Sequence, residues 1–114
     1  SMMGSGGMVV TDESTCMVDM AHFFLTFLKE ESCGKCTPCR EGLPWVKQIL
    51  GAMETGQGKE EDIDHLLWHT KYLGPGNTFC ALAPGAMEPL QSAIKYFRDD
   101  FEAHIKQKGC PWRI

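Results

Sequence analysis

Apolar residues recur at three- and four-residue intervals along most of this chain, the spacing of helices with one buried side. Between Cys16 and Glu30, one broad side carries Cys16, Met17, Met20, Ala21, Phe23, Phe24, Phe27 and Leu28, and the other Asp19, His22, Thr26 and Lys29. This predicts a first helix, capped by Ser14 or Thr15, with its aromatic and Met stripe in the core and Cys16 as a packing thiol. A second helix is marked by Trp45, Val46, Ile49, Leu50 and Met53. Pro44 fits as its first residue, where a missing N–H costs nothing, and Thr55-Gly56-Gln57-Gly58 ends it. A third spans Lys59 to Leu73, with Glu60, Glu61 and Asp62 in the turn where the helix dipole favours acids. Its inner face is Ile63, Leu66, Leu67 and Thr70, and Gly74-Pro75-Gly76 stops it. A fourth begins near Ala86 or Pro89 and runs to Lys106 with the stripe Leu90, Ile94, Phe97, Phe101 and Ile105. Arg98 and Glu102 can pair one turn apart on its wet side.

Four helices with short connections predict an all-α fold, an antiparallel four-helix bundle. The bundle takes residues 14–108. Residues 1–13 read as a linker or remnant of a preceding domain, with Gly4-Ser5-Gly6-Gly7 a turn and Met8 to Val10 a short strand. Residues 109–114 read as a C-terminal tail expected to fray.

Two segments break the helical pattern, and both hold cysteine. In Glu31-Ser32-Cys33-Gly34-Lys35-Cys36-Thr37-Pro38-Cys39-Arg40-Glu41-Gly42 three cysteines recur at every third residue. A chain wrapping a cubane can place successive sulfurs on three corners at that spacing, with a fourth Cys from elsewhere. Of Cys16, Cys80 and Cys110, the best fourth is Cys80, in the other irregular loop, which the third helix returns to the same end of the bundle. Cys110, in the tail, is weaker. Phe79 and Leu82 are placed to shield the site, Thr37 to cap a turn begun by Pro38, and Lys35 and Arg40 to offset negative charge. A structural four-cysteine zinc site is the alternative, although zinc more often uses two separated pairs. A thiol switch on Cys33 and Cys36 ranks last, because such pairs work in a βαβ setting. His65 and His69, one turn apart, are a weak metal pair.

The 114 residues amount to one domain. A net charge of −4 gives no basic face for nucleic acid. No apolar run reaches membrane-span length, so no direct membrane insertion is expected. The six cysteines do not suggest a disulfide framework, since three crowd into one short loop and no secretory signal precedes them. The expected location is cytoplasmic.

The segment 31–42 resembles the cluster signature of the NADH-binding flavoprotein subunit of respiratory complex I (NADH:quinone oxidoreductase). Related subunits of NAD-linked hydrogenases and formate dehydrogenases share it. Gly4-Ser5-Gly6-Gly7, Gly76 to Leu82 and Lys95-Tyr96-Phe97-Arg98 follow in that family's order. The resemblance implies a C-terminal four-helix domain with a [4Fe–4S] cluster held by two loops at one end, on Cys33, Cys36, Cys39 and Cys80. It implies a one-electron relay from the FMN of an upstream NADH-oxidising domain to iron–sulfur partner subunits. FMN and NAD(H) belong to that upstream domain, so this fragment alone is not expected to be catalytic. It also implies a place peripheral to the inner membrane through the parent complex. Pro44 departs from the continuous helix expected there.

Overall fold

The computed structural model describes residues 4–112; Ser1 to Met3, Arg113 and Ile114, parts of the expected lead and tail, lie outside them. Its helices are α1 (Met17–Glu31), α2 (Leu43–Glu54), α3 (Glu61–Tyr72) and α4 (Leu82–Gln107). No β-strand occurs among the described residues, so Met8 to Val10 form irregular chain, with exposed side chains.

The face of α1 differs from the expected one. It buries Val18, Ala21 and Leu25, with Leu28 partly covered, whereas Phe23 and Phe27 are more than half exposed. The physical reason is width. Small aliphatic residues spaced three, four and three apart make a narrow seam, and α1 has to pack against both α2 and α4. Rings on that seam would hold the axes apart, and Phe23 and Phe24 instead meet edge to face outside it. Phe23→Ser is therefore expected to change stability by no more than ~0.5 kcal/mol. Denaturant unfolding checks this, and a loss of several times that would restore the ring to the core. The cap is also different. Cys16, not Ser14 or Thr15, caps α1, its Sγ accepting the Asp19 N–H at 3.3 Å. Burial pushes the Cys16 thiol pKa up, against the pull of that N–H.

The second helical run starts earlier than predicted. A wide π-helical turn, Pro38–Gly42, leads straight into α2, and Pro44 falls in the first turn of α2. The wide turn moves the preceding carbonyls off the regular ladder, which a proline ring would otherwise meet. This is how the run stays continuous through Pro44.

Helix α3 buries Ile63, Leu66 and Thr70 as expected, and also His69. Helix α4 begins at Leu82, ahead of the expected start, because Pro84 is tolerated in a first turn. It breaks at Phe97 (φ −128°, ψ 33°). The buried stripe continues across the break, with Leu90 and Ile94 before it and Phe101 and His104 after it. Phe97, predicted inside, is 44% exposed. Arg98 and Glu102 pair at 3.3 Å as expected.

The tail does not fray over its described part. Cys110 is buried, and Trp112 Nε1 donates to the Glu13 carbonyl at 2.9 Å. None of the described helices is long and apolar enough to cross a membrane.

Candidate metal centre

Helix α1 ends at Ser32, whose N–H donates to the Leu28 carbonyl at 3.0 Å. The chain then turns through Gly34, in left-handed backbone (φ 69°), whose N–H donates to Ser32 Oγ at 3.1 Å. Arg40 holds this turn from the far side. Its Nη1 donates to the Gly34 carbonyl at 3.3 Å and the Lys35 carbonyl at 3.0 Å, and its Nη2 to Thr37 Oγ1 at 3.4 Å. Thr37 therefore has no capping role, contrary to expectation. With the carbonyls drawn to Arg40, the triplet Cys33, Cys36 and Cys39 is fixed on a short arc of chain.

The second loop leaves α3 at Leu73. Asn77 Nδ2 donates to the Lys71 carbonyl at 3.0 Å, and Thr78 Oγ1 to the Cys80 carbonyl at 2.8 Å. The Leu82 N–H, at the start of α4, donates to Cys80 Sγ at 3.5 Å. The two loops are joined beneath by a close approach. A Cβ on Gly42 would come within 2.8 Å of Leu73 Cδ1, so the absence of a side chain lets the π turn sit against the root of the second loop.

Cys33, Cys36, Cys39 and Cys80 all line one cavity of about 210 Å³, with Pro38, Leu82 and Ala83 supplying apolar wall. The four thiols are free. Cys16 and Cys110, the other candidates for the fourth position, lie at the opposite end of α1, about 22 Å away for a helix of 15 residues. Phe79 lines the rim but points outward, 97% exposed, so only Leu82 of the expected pair is half-buried. His65 and His69 do not form a site: His69 Nδ1 donates to the His65 carbonyl at 2.7 Å, and the His65 ring faces Asp62.

The donor set has the chemistry a [4Fe–4S] cluster requires. Four thiols, from two loops distant in sequence, face one apolar-walled space, as a cubane with a sulfur at each iron needs. An N–H on Cys80 Sγ and a guanidinium behind the triplet suit a negatively charged group. The residues present fit. No βαβ or thioredoxin-like setting for a thiol switch exists among the described helices.

A family model described as the NADH-ubiquinone oxidoreductase-F iron–sulfur binding region matches residues 19–104. The chain belongs to that family. A [4Fe–4S] cluster is accordingly the cofactor of this domain, and its role lies in iron–sulfur electron transfer. The chain is 50% identical over 112 residues to the second F subunit of the NADH-quinone oxidoreductase of Rhizobium meliloti (strain 1021), covering 98% of this chain and 26% of the relative. It is 53% identical over 107 residues to the corresponding F subunit of Escherichia coli (strain K12), covering 94% and 24%. For the F subunit of Mycobacterium tuberculosis (strain ATCC 25618 / H37Rv) the identity is 47% over 112 residues, covering 98% and 25%. The chain spans about a quarter of the length of these relatives.

Neither the Arg40 clamp nor the Gly42–Leu73 approach carried a signal in the sequence. Each depends on a partner that only the folded chain brings near.

Proposed function

We propose that this domain is the one-electron relay of an NADH-oxidising subunit, with Cys33, Cys36, Cys39 and Cys80 as the cluster ligands. The single observation behind this reading is the convergence of those four thiols on one cavity in a chain of this family. When bound, the cluster supplies storage of one electron at a time, at a potential set by hydrogen bonds, charge and exposure. The protein's part is to hold the sulfurs, wall them with Pro38, Leu82 and Ala83, and donate the Leu82 N–H to Cys80.

The electrons come from FMN reduced by NADH in an upstream domain and leave to iron–sulfur partner subunits, a reading supported by the relatives' name of NADH-quinone oxidoreductase. Residues 14–108 form the relay domain, 1–13 the exit from the preceding domain and 109–114 a tail. Exposed Met8, Val9 and Val10, beside the outward Phe24, Tyr96 and Phe97, suit a surface covered by that preceding domain. Phe79, outward at the cavity rim, suits a contact with the electron acceptor. The fragment alone lacks the nicotinamide chemistry, and its place is peripheral to the inner membrane, within the parent complex, on the cytoplasmic side.

The zinc alternative is disfavoured by the family, whose model describes an iron–sulfur binding region, and by the cysteine pattern, since zinc sites more often use two separated pairs.

Anaerobic purification is expected to give a brown protein with about four irons and four sulfides per chain, reducible by dithionite but not by NADH. A colourless protein that takes up zinc and cannot be reconstituted with iron and sulfide would overturn the relay.

A further inference from the structure

Four buried side chains meet at the end of the bundle away from the cysteine loops. Cys16 caps α1, Glu54 closes α2, His104 lies in the last turn of α4, and Cys110 follows α4. Cys16 Sγ is 3.1 Å from Glu54 Oε1, 3.3 Å from His104 Nε2 and 3.6 Å from Cys110 Sγ. His104 Nε2 is 3.2 Å from Glu54 Oε1. All four ligand atoms lie within 4.8 Å of one another. We infer that Cys16, Glu54, His104 and Cys110 form a second, structural Zn²⁺ site.

The donors argue for zinc first. Two thiolates, an imidazole and a carboxylate are each zinc ligands, and a tetrahedron with Zn–S of ~2.3 Å and Zn–N or Zn–O of ~2.0–2.1 Å has edges of roughly 3.3–3.8 Å. These four separations run from 3.1 to 3.6 Å, close to that size before any ion draws the ligands to a common centre. Softer Cu(I) would not select the carboxylate, and Ca²⁺ or Mg²⁺ would not select the thiols.

The tautomer of His104 argues next. Its Nδ1 lies 2.6 Å from the Asp100 carbonyl, which can only accept, so the proton of a neutral ring sits on Nδ1. Nε2 then presents a lone pair toward a carboxylate oxygen and a sulfur. The single S–H proton of Cys16 can serve Glu54 Oε1 or His104 Nε2 but not both, whereas a cation among the three satisfies every contact, and this back-side hydrogen bond is the one that orients metal-binding histidines. The rival occupant is a proton on Nε2, which would leave an imidazolium–carboxylate pair with two thiols beside it.

The surroundings keep water out. The Trp112 ring stacks on His104 at 5.9 Å, pinned by its bond to Glu13. Four protein ligands complete a zinc shell, so the site is structural and binds no substrate. It ties the start of α1 to the ends of α2 and α4 and to the tail, at the far end of α1 from the electron-carrying cysteines. Cys16 and Cys110 fall outside the span matched by the family, residues 19–104.

The test uses the full chain, anaerobically loaded with iron and sulfide and then given one equivalent of Zn²⁺. The expected result is about one zinc per chain beside an undiminished iron content, with two sulfur and two nitrogen or oxygen neighbours in zinc K-edge X-ray absorption. Cys110→Ala, in a segment after the last helix, should lose the zinc and keep the iron and sulfide, and Glu54→Gln should lose it likewise. A zinc shell of four sulfurs would place the ion in the cluster loops and overturn the site. So would failure of the loaded wild-type chain to take up zinc, retention of zinc by Cys110→Ala, or a Cys16–Cys110 disulfide in the anaerobic protein.

Discussion

Cys80→Ser is expected to remove the four-iron chromophore from the chain, while Cys110→Ser leaves it. Cys80 alone lines the same cavity as the 33, 36, 39 triplet, and a cubane missing one thiolate loses a corner iron or fails to assemble. Cys110 is buried against Cys16 at the other end of α1. The expected outcome for Cys80→Ser is a fall from about four irons per chain to about three or fewer, with the low-temperature spin-resonance signal of the dithionite-reduced protein lost or changed in type. Iron, sulfide and spectrum should stay at wild-type values in Cys110→Ser. Circular dichroism of both variants separates loss of the site from loss of the fold. The ligand assignment fails if Cys80→Ser keeps a full complement of iron and Cys110→Ser does not.

Gly56→Ala is expected to be the most damaging small substitution outside the cysteines. Gly56 follows α2 with a φ of +87°, a region that side chains rarely adopt. A Cβ there would lie 2.1 Å from the Lys108 carbonyl oxygen and 2.8 Å from its carbon, and both are backbone atoms that no rotamer change can move. Strained backbone alone costs on the order of 1–3 kcal/mol. Displacing the end of α4 adds to it, so a loss of ~3 kcal/mol or more is expected, or roughly 10–20 °C in melting temperature for a domain of this size. Gly85→Ala is the control. It lies in α4 with nothing within 4 Å of an added Cβ, and should gain ~0.5–1 kcal/mol. Thermal unfolding of the two variants side by side decides this, and a Gly56→Ala protein as stable as wild type would mean the α2 turn and the end of α4 do not meet as described.

Helix number, order and the loops between them were readable from the periodicity of apolar residues, because each helix presents one side to the core. The turn at Thr55 to Gly58 and the stop at Gly74-Pro75-Gly76 were readable from residues whose backbone preferences are local. The inner face of α1 was not. A wide apolar stripe fits several rotations of the helix, and packing against two neighbours chose the narrow Val18, Ala21, Leu25 seam, leaving Phe23 and Phe27 outside. Phe97 was misplaced for a local reason: its own backbone leaves the helical region (φ −128°, ψ 33°) while the stripe around it continues, and periodicity assumes every residue is helical. The early start of α4 and the π turn before α2 were hidden by prolines, which the sequence marks as boundaries: Pro38, Pro44 and Pro84 fall in first turns, which accept them, and Pro89 lies inside α4.

By itself, the sequence determined the chemistry. Cysteines at every third residue, with another after a helix, limit the chain to a few metal centres, since spacing of this kind is a property of neighbouring residues. What only the tertiary structure decided is which distant side chains share a space. It put Cys80 on the cavity of the triplet, turned Phe79 out of it, and gathered Cys16, Glu54, His104 and Cys110 at the opposite end. The physical reason is that contacts between residues far apart in sequence depend on the rotation, phase and closest approach of whole helices, and those are settled by packing of the core rather than by any local pattern.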